Sequence, residues 1–230
     1  MKYLNYILLY FVCMSYVQAN GIGINASRII YNGDSEQQPV TVRNTTHNET
    51  FLLKSSILKT IDMHPQTNFS VIPPLMRSEP ETLSTFSIKL NNSSDLPTDR
   101  ESLFLFSALA IPSIEKKKQN SLDVAFSVIV KVFYRPVGLE KLDISDMEML
   151  SFKKENNSLN VTNPTPYYIT LSELKVGENI IPMDINSGQT MISPFGNRAY
   201  PLNKTSNGKI EYKVIDDLGV EHEFTNTMEN

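Results

Sequence analysis

The sequence predicts an all-β protein built as two sandwich domains, and three observations carry that reading. Across 230 residues, 40% of them hydrophobic, almost no stretch keeps a 3.6-residue apolar period for three turns. Short runs of β-branched and aromatic residues recur instead, separated by clusters of Asn, Asp, Gly, Pro and Ser, the punctuation of half-buried strands. The strand series breaks once, at Arg135-Pro136-Val137-Gly138, where proline removes a ladder donor and glycine loosens the backbone. The apolar content suffices for real cores, which excludes a disordered tail, a collagen-like repeat and a disulfide-stapled miniprotein. A formal charge of -4 supplies no basic field for nucleic acid or for an anionic membrane surface.

Residues 1–19, MKYLNYILLYFVCMSYVQA, read as an export signal. One Lys near the start precedes an apolar run over 6–16, and Val17-Gln18-Ala19 offers a peptidase the short residues it needs, with cleavage after Ala19. The run is too short to span a bilayer, and a retained anchor is the alternative. Cys13 is the only cysteine, so the mature chain has none. An exported domain without disulfides fits the bacterial periplasm better than an animal cell surface. The Asn-x-Ser/Thr triplets at Asn25, Asn44, Asn48, Asn68, Asn92, Asn160 and Asn203 would be glycan acceptors on an animal protein; in an Asn-rich bacterial chain they arise by chance.

Strands are expected at residues 27–31, 40–43, 51–58, 69–72, 85–90, 102–110 and 122–134. Seven is the strand count of an immunoglobulin-like sandwich. Residues 139–150 read as a turn or short helix. A second series follows at 150–153, 159–161, 167–171, 180–183, 190–192, 210–215 and 221–224. The domains are therefore placed at 20–139 and 140–230, with no internal repeat visible.

Chemistry-bearing clusters are missing. His47, His64 and His222 stand apart in sequence, and no Gly-rich phosphate loop, Gly-x-Ser-x-Gly turn or nucleophilic Cys occurs. Asp216-Asp217 is an adjacent carboxylate pair, but neighbours on a strand face opposite ways and cannot share a proton. A strand end or turn with solvated acids is the plain reading. No cofactor and no metal site are expected, and an enzyme is disfavoured.

The stretch 122–134 is unusual. Thirteen residues in a strand would reach ~43 Å, beyond the common five or six residues. Leu122, Val124, Phe126, Val128 and Val130 share one face; Asp123, Ala125, Ser127, Ile129 and Lys131 share the other. A long core strand accounts for the later half. The earlier half would overhang an ordinary domain, and an unpaired apolar edge is an aggregation hazard unless it has an intended partner. Adding a strand to another protein's sheet is one such use. Lys131, deep in the apolar run, either reaches solvent along its stem or awaits a carboxylate from outside.

These residues carry a resemblance. Ser27-Arg28-Ile29-Ile30-Tyr31, Phe69 to Leu75 with Glu79-Pro80, Leu96 to Leu103, Ile111-Pro112, Lys131 to Pro136 and Asn163 to Tyr168 occur in the order seen in the PapD-like periplasmic chaperones of pilus and fimbria assembly. The chain resembles that family over nearly the whole mature length. The sandwich architecture and strand donation to pilins are both known for it.

The resemblance implies two immunoglobulin-like β-sandwich domains in an L-shaped arrangement. It implies a chaperone that binds pilin subunits by donor-strand complementation and delivers them to an outer-membrane usher. By motif position Arg28 and Lys131 would hold the subunit's C-terminal carboxylate. Leu122, Val124, Phe126 and Val128 would fill its groove. Glu101, Arg135 and Asp217 would form an interdomain charge cluster, although sequence alone reads each as a solvated charge. The chain departs from the family pattern at Leu105, Ser107 and Ala108 and in its acidic balance. Ser113 to Ser121 is short and has no flanking Cys pair, which resembles the short-loop branch; Lys116 to Lys118 read as a solvated loop tip. Self-association of the free protein through the exposed strand stays open. The alternative is a secreted immunoglobulin-like adhesin or structural fimbrial component.

Overall fold

The structure, a computed structural model, describes residues 20–59, 68–113, 124–185, 187–202 and 208–227. The expected export signal, His64, Leu122 and Asp123 lie outside these residues.

The N-terminal sandwich is assembled from strands whose alternation sorts core from solvent. In β3 (Gln38–Asn44), Val40 and Val42 turn inward while Arg43 points out; in β7 (Thr82–Leu90), Ser84, Phe86 and Ile88 turn inward. These two pair with β1 (Ile22–Ile24) and β5 (Phe69–Ile72) in one sheet, ordered β1-β3-β7-β5. The facing sheet runs β2-β9-β8-β4-β6, from β2 (Arg28–Asn32), β4 (Phe51–Leu58), β6 (Leu75–Ser78), β8 (Ser102–Pro112) and β9 (Phe126–Arg135). Phe104, Phe106, Ala108 and Ala110 of β8 meet Val130, Val132 and Tyr134 of β9 in the same core. Tyr31 ties the sheets together: its hydroxyl accepts the Leu90 N–H and donates to the Ser35 carbonyl, each at 3.0 Å.

The path of the first strands leaves part of β9 open. The chain begins in one sheet as β1 and crosses to the other as β2. Since β2 starts only at Arg28, it covers β9 from Lys131 to Arg135, in parallel register. Upstream of Lys131, β9 is paired with β8 alone among the described residues.

The second sandwich packs a three-stranded sheet against a five-stranded one. The first is β10 (Ser151–Glu155), β11 (Ser158–Thr162) and β15 (Asn197–Pro201). The other contains β12 (Ile169–Val176), β13 (Asn179–Ile180), β14 (Met191–Ile192), β16 (Ile210–Ile215) and β17 (Glu221–Asn226). The helix α1 (Ile144–Glu148), where a turn or short helix is expected, leads into the second sandwich and buries Met147 in its core. Asp143 caps the helix in a reciprocal box with Asp146, satisfying N–H groups that the first turn leaves unpaired.

Several expectations need correction. The strands β1, β6 and β15 are absent from the expected series; β1 has three residues, β6 exposes Leu75, and β15 begins after Gly196 and ends at Pro201, so each reads as a turn. The strand expected at 180–183 stops after Ile180, because Pro182 has no N–H for a ladder. The long strand expected at 122–134 begins at Phe126, and Val124 lies outside it, 60% exposed. Asp216-Asp217 sits in the β16–β17 turn, at the strand end or turn expected, but its acids are paired, with His222 and Arg135, rather than simply solvated.

A buried hub recurs in both domains. The Asn44 side-chain amide donates to the carbonyls of Glu49, Ser78 and Glu79, and its Oδ1 accepts both the N–H and the hydroxyl of Thr46. Asn163 does the same with the carbonyls of Tyr167, Ile192 and Ser193 and with Thr165. The Asn44 triplet is thus an interior turn fastener, not an exposed acceptor. Asn163→Ala would strand these partners in a dry interior, where each unmade bond costs ~1–3 kcal/mol. A loss of about 3 kcal/mol in urea unfolding is expected.

Candidate functional site

Strand β9 has apolar or anchored residues on both faces, and that explains its near-continuous hydrophobicity. Its even positions from Val130 to Tyr134 fill the first core, while Phe126 and Val128 upstream stay at least partly exposed. Its odd positions face the second domain or the space between the domains: Ile129 and Lys131 line a cleft, Phe133 meets the Tyr168 ring at 5.8 Å, and Arg135 reaches Asp217.

Arg28 and Lys131 are register partners on β2 and β9, so the parallel ladder places their side chains on one face. Both line an interdomain cleft of about 630 Å³. Arg28 Nη1 donates to the Ile215 carbonyl at 2.9 Å, and its guanidinium lies 5.7 Å from the Phe133 ring centre. Arg28 Nε is buried without a partner, and so is Thr170 Oγ1, which lines the same cleft. Among the described residues the Lys131 ammonium has neither hydrogen bond nor ion pair, although its backbone sits in the ladders with β2 and β8. Burial, then the charge of Arg28, hold the Lys131 ammonium below the usual lysine range. Burial also lowers Arg28, opposed by Asp217, Asp216 and Glu101. Two half-buried cations, side by side and short of acceptors, are set to receive an anion.

The second constellation is complete. Arg135 is 3% exposed and donates from Nη2 to Glu101 at 2.6 Å and from Nη1 to Asp217 at 2.9 Å. The other Glu101 oxygen accepts the Tyr168 N–H at 2.9 Å, and the Glu101 N–H donates to the Pro166 carbonyl. One arginine therefore joins a carboxylate of the first domain to one from the β16–β17 turn. Burial raises the Glu101 carboxyl above its usual range despite Arg135 and the Tyr168 N–H. For Arg135 burial works against the charge, but Asp217 and Glu101 outweigh it and raise the pKa. The same turn abuts the first domain at Gly219, where a Cβ would sit 2.7 Å from Ser27 Oγ.

Of the remaining sequence-derived positions, Phe126 and Val128 stand on the upstream part of β9, Val124 precedes it, and Leu122 lies outside the described residues. Phe126 is 40% exposed and touches the Phe51 ring edge-on at 6.1 Å. The departures at Leu105, Ser107 and Ala108 fall opposite Lys131, Ile129 and Val128 on β8. The structure adds Thr170, whose setting in Ile-Thr-Leu reads only as the outward residue of a strand. His47 and His222 each sit beside a carboxylate, Glu81 and Asp216. Among the described residues no group of three His, Cys, Asp or Glu could hold a metal ion.

Comparisons with known proteins agree over both domains. The family described as pili and flagellar-assembly chaperone, PapD N-terminal domain, matches residues 21–140, and that of the PapD C-terminal domain matches residues 146–226. The chaperone protein FimC of Escherichia coli K12 is 33% identical over 201 residues, which cover 86% of this chain and 80% of FimC. Among solved structures, the complex of the Salmonella enterica SafA pilin with the SafB chaperone aligns at 28% identity with a TM-score of 0.79, covering 92% of this chain and 98% of the matched one. The periplasmic chaperone SfaE aligns at 28% identity with a TM-score of 0.74, covering 90% of this chain and all (100%) of SfaE.

Proposed function

The chain belongs to the PapD family of pilus-assembly chaperones, and from that premise we propose that it works in the periplasm, where it binds fimbrial subunits by lending them strand β9 and passes them to an outer-membrane usher. The observation that carries the mechanism is the open upstream edge of β9, which ends at two cations short of acceptors. A subunit with an incomplete sandwich supplies the missing ladder, and its C-terminal carboxylate supplies the missing counter-charge.

The geometry dictates the direction of pairing. With the carboxylate at Arg28 and Lys131, and β2 occupying the edge beyond, the client's last strand must run toward Lys131. It therefore lies parallel to β9 and in line with β2. Val124, Phe126 and Val128, with Leu122 ahead of them, then project into the client's groove. Each buried apolar side chain contributes ~1.5–3 kcal/mol before ordering costs. A one-residue slip would present Ser127 to the groove instead. The Glu101–Arg135–Asp217 cluster sets the second domain against the first, which keeps the cleft walls at a fixed separation. Export of residues 20–230 by a cleaved signal completes the reading.

Co-expression with the subunit genes that flank its own, followed by affinity capture from periplasm, tests the donor edge. A one-to-one complex is expected with the unaltered chain. Val124→Asp with Phe126→Asp changes two exposed side chains, so the chaperone should stay folded while subunit recovery falls by at least about a hundredfold. Equal recovery from both would remove the donor role from this edge.

A further inference from the structure

We propose that the cleft contains, beside the carboxylate clamp, a pocket that selects an apolar side chain at the C-terminal end of the client. This rests on the reading of Arg28 and Lys131 as that clamp and concerns what lies next to the carboxylate. Its basis is the run Ile180-Ile181-Pro182-Met183 with Ile185, apolar enough to suit a strand, yet out of the sheet after Ile180. Ile181 packs into the second core, but Ile180 and Ile185 are 63% and 73% exposed. Two isoleucines in that state bury little of their own surface, and a grouped apolar exposure marks a contact surface. They line the same cleft as Arg28 and Lys131, together with Met183 and, across from them, Ile129.

Charge and alternation identify the occupant. The cationic end of the cleft takes a carboxylate, so the apolar wall meets whatever adjoins that carboxylate. The acidic residue of this wall, Glu173, is already engaged by Lys175 at 2.9 Å and Lys213 at 3.5 Å, so it offers no free charge to a basic side chain. In a parallel ladder, register partners share a face. Client residues level with Phe126 and Val128 therefore turn into the client's own core, whereas one level with Ile129 turns into the cleft. That position falls within the last residues before the carboxylate, and the wall it meets favours Leu, Ile or Phe over Ser or Asp.

The probes are acetylated dodecapeptides of alternating valine and threonine, bearing Leu, Ser or Asp at the last and, separately, the penultimate residue, each as free acid and as amide. Fluorescence anisotropy with the full mature chain should show the Leu free acid binding about tenfold more tightly than the Ser one at one of the two positions. Asp should bind more weakly still. Ile180→Ser with Ile185→Ser should erase the Leu preference and leave the Ser peptide within about twofold. Equal affinity for Leu and Ser at both positions overturns the proposal. So does a preference that survives the double substitution, or no binding of the Leu free acid at millimolar concentration. If amides bind as well as free acids while the Leu preference depends on Ile180 and Ile185, the pocket is supported and the clamp fails.

Discussion

Lys131→Met is expected to leave a chaperone that folds at least as well as the original and has lost its hold on subunits. The loss follows from charge: a subunit carboxylate left beside Arg28 alone in a half-buried cleft forfeits ~2–5 kcal/mol, roughly thirtyfold to several thousandfold in Kd. Stability moves the other way because the ammonium lacks a partner and its nearest charge is Arg28. A lysine whose folded pKa lies below its unfolded value makes the unfolded chain the better proton binder. Stability of the free protein therefore rises with pH between the folded pKa of Lys131 and the ordinary lysine value. The substitution should abolish that rise. Binding has the opposite limb: the carboxylate favours the ammonium, so affinity should fall as pH climbs through the Lys131 pKa of the free protein. It should also fall in acid as the terminal carboxyl is protonated near ~3.5. Urea midpoints and calorimetric titrations across pH separate the two effects. Arg28→Ala is the contrast, because Arg28 also holds the Ile215 carbonyl and packs near Phe133. It should lose affinity and stability together.

The parts of this molecule that can be read from sequence are those where a local pattern meets a single environment. Val130, Val132 and Tyr134 alternate because one face of β9 enters the core, so the strand and its register are legible. Its start is not, since Val124 and Ala125 continue the pattern as well as Phe126 does. The ladder with β8 ends at Ala110 opposite Phe126, close to Pro112, which brings no N–H to extend it. Tyr200 is buried on β15, but flanking Gly196 and Pro201 hide that strand behind the signs of a turn. Glu101, Arg135 and Asp217 meet across 34 and 82 residues of chain, and nothing local separates Glu101 from its neighbours Asp99 and Arg100, which pair with each other outside. Only the family resemblance joins the three before the fold is known. Thr170 and the Ile180–Ile185 wall are silent in the sequence for a related reason: their meaning lies in what faces them across the cleft.

Arg135→Ala should be the most destabilising single substitution in the interdomain region, at ~3–5 kcal/mol in urea unfolding at neutral pH. It removes the one cation between two carboxylates, one of them almost fully buried. Burial already raises Glu101, so in the wild type stability declines as pH rises from the ordinary glutamate value through the folded one. Without Arg135 the Glu101 pKa rises further. The deficit should then be full at neutral pH and shrink as acid protonates Glu101, the reverse of a simple lost packing contact. Asp217→Asn separates folding from spacing. Asp217 is partly exposed and the amide can still accept from Arg135 Nη1, so only about 1 kcal/mol of stability is at stake. Yet its turn carries Gly219 against Ser27 and follows Ile215, the acceptor for Arg28. If the cluster spaces the cleft, subunit affinity should fall several-fold more than that small loss of stability implies. Wild-type affinity in Asp217→Asn would mean that backbone contacts at Ile215 and Gly219 hold the cleft unaided, and that the charges serve folding alone.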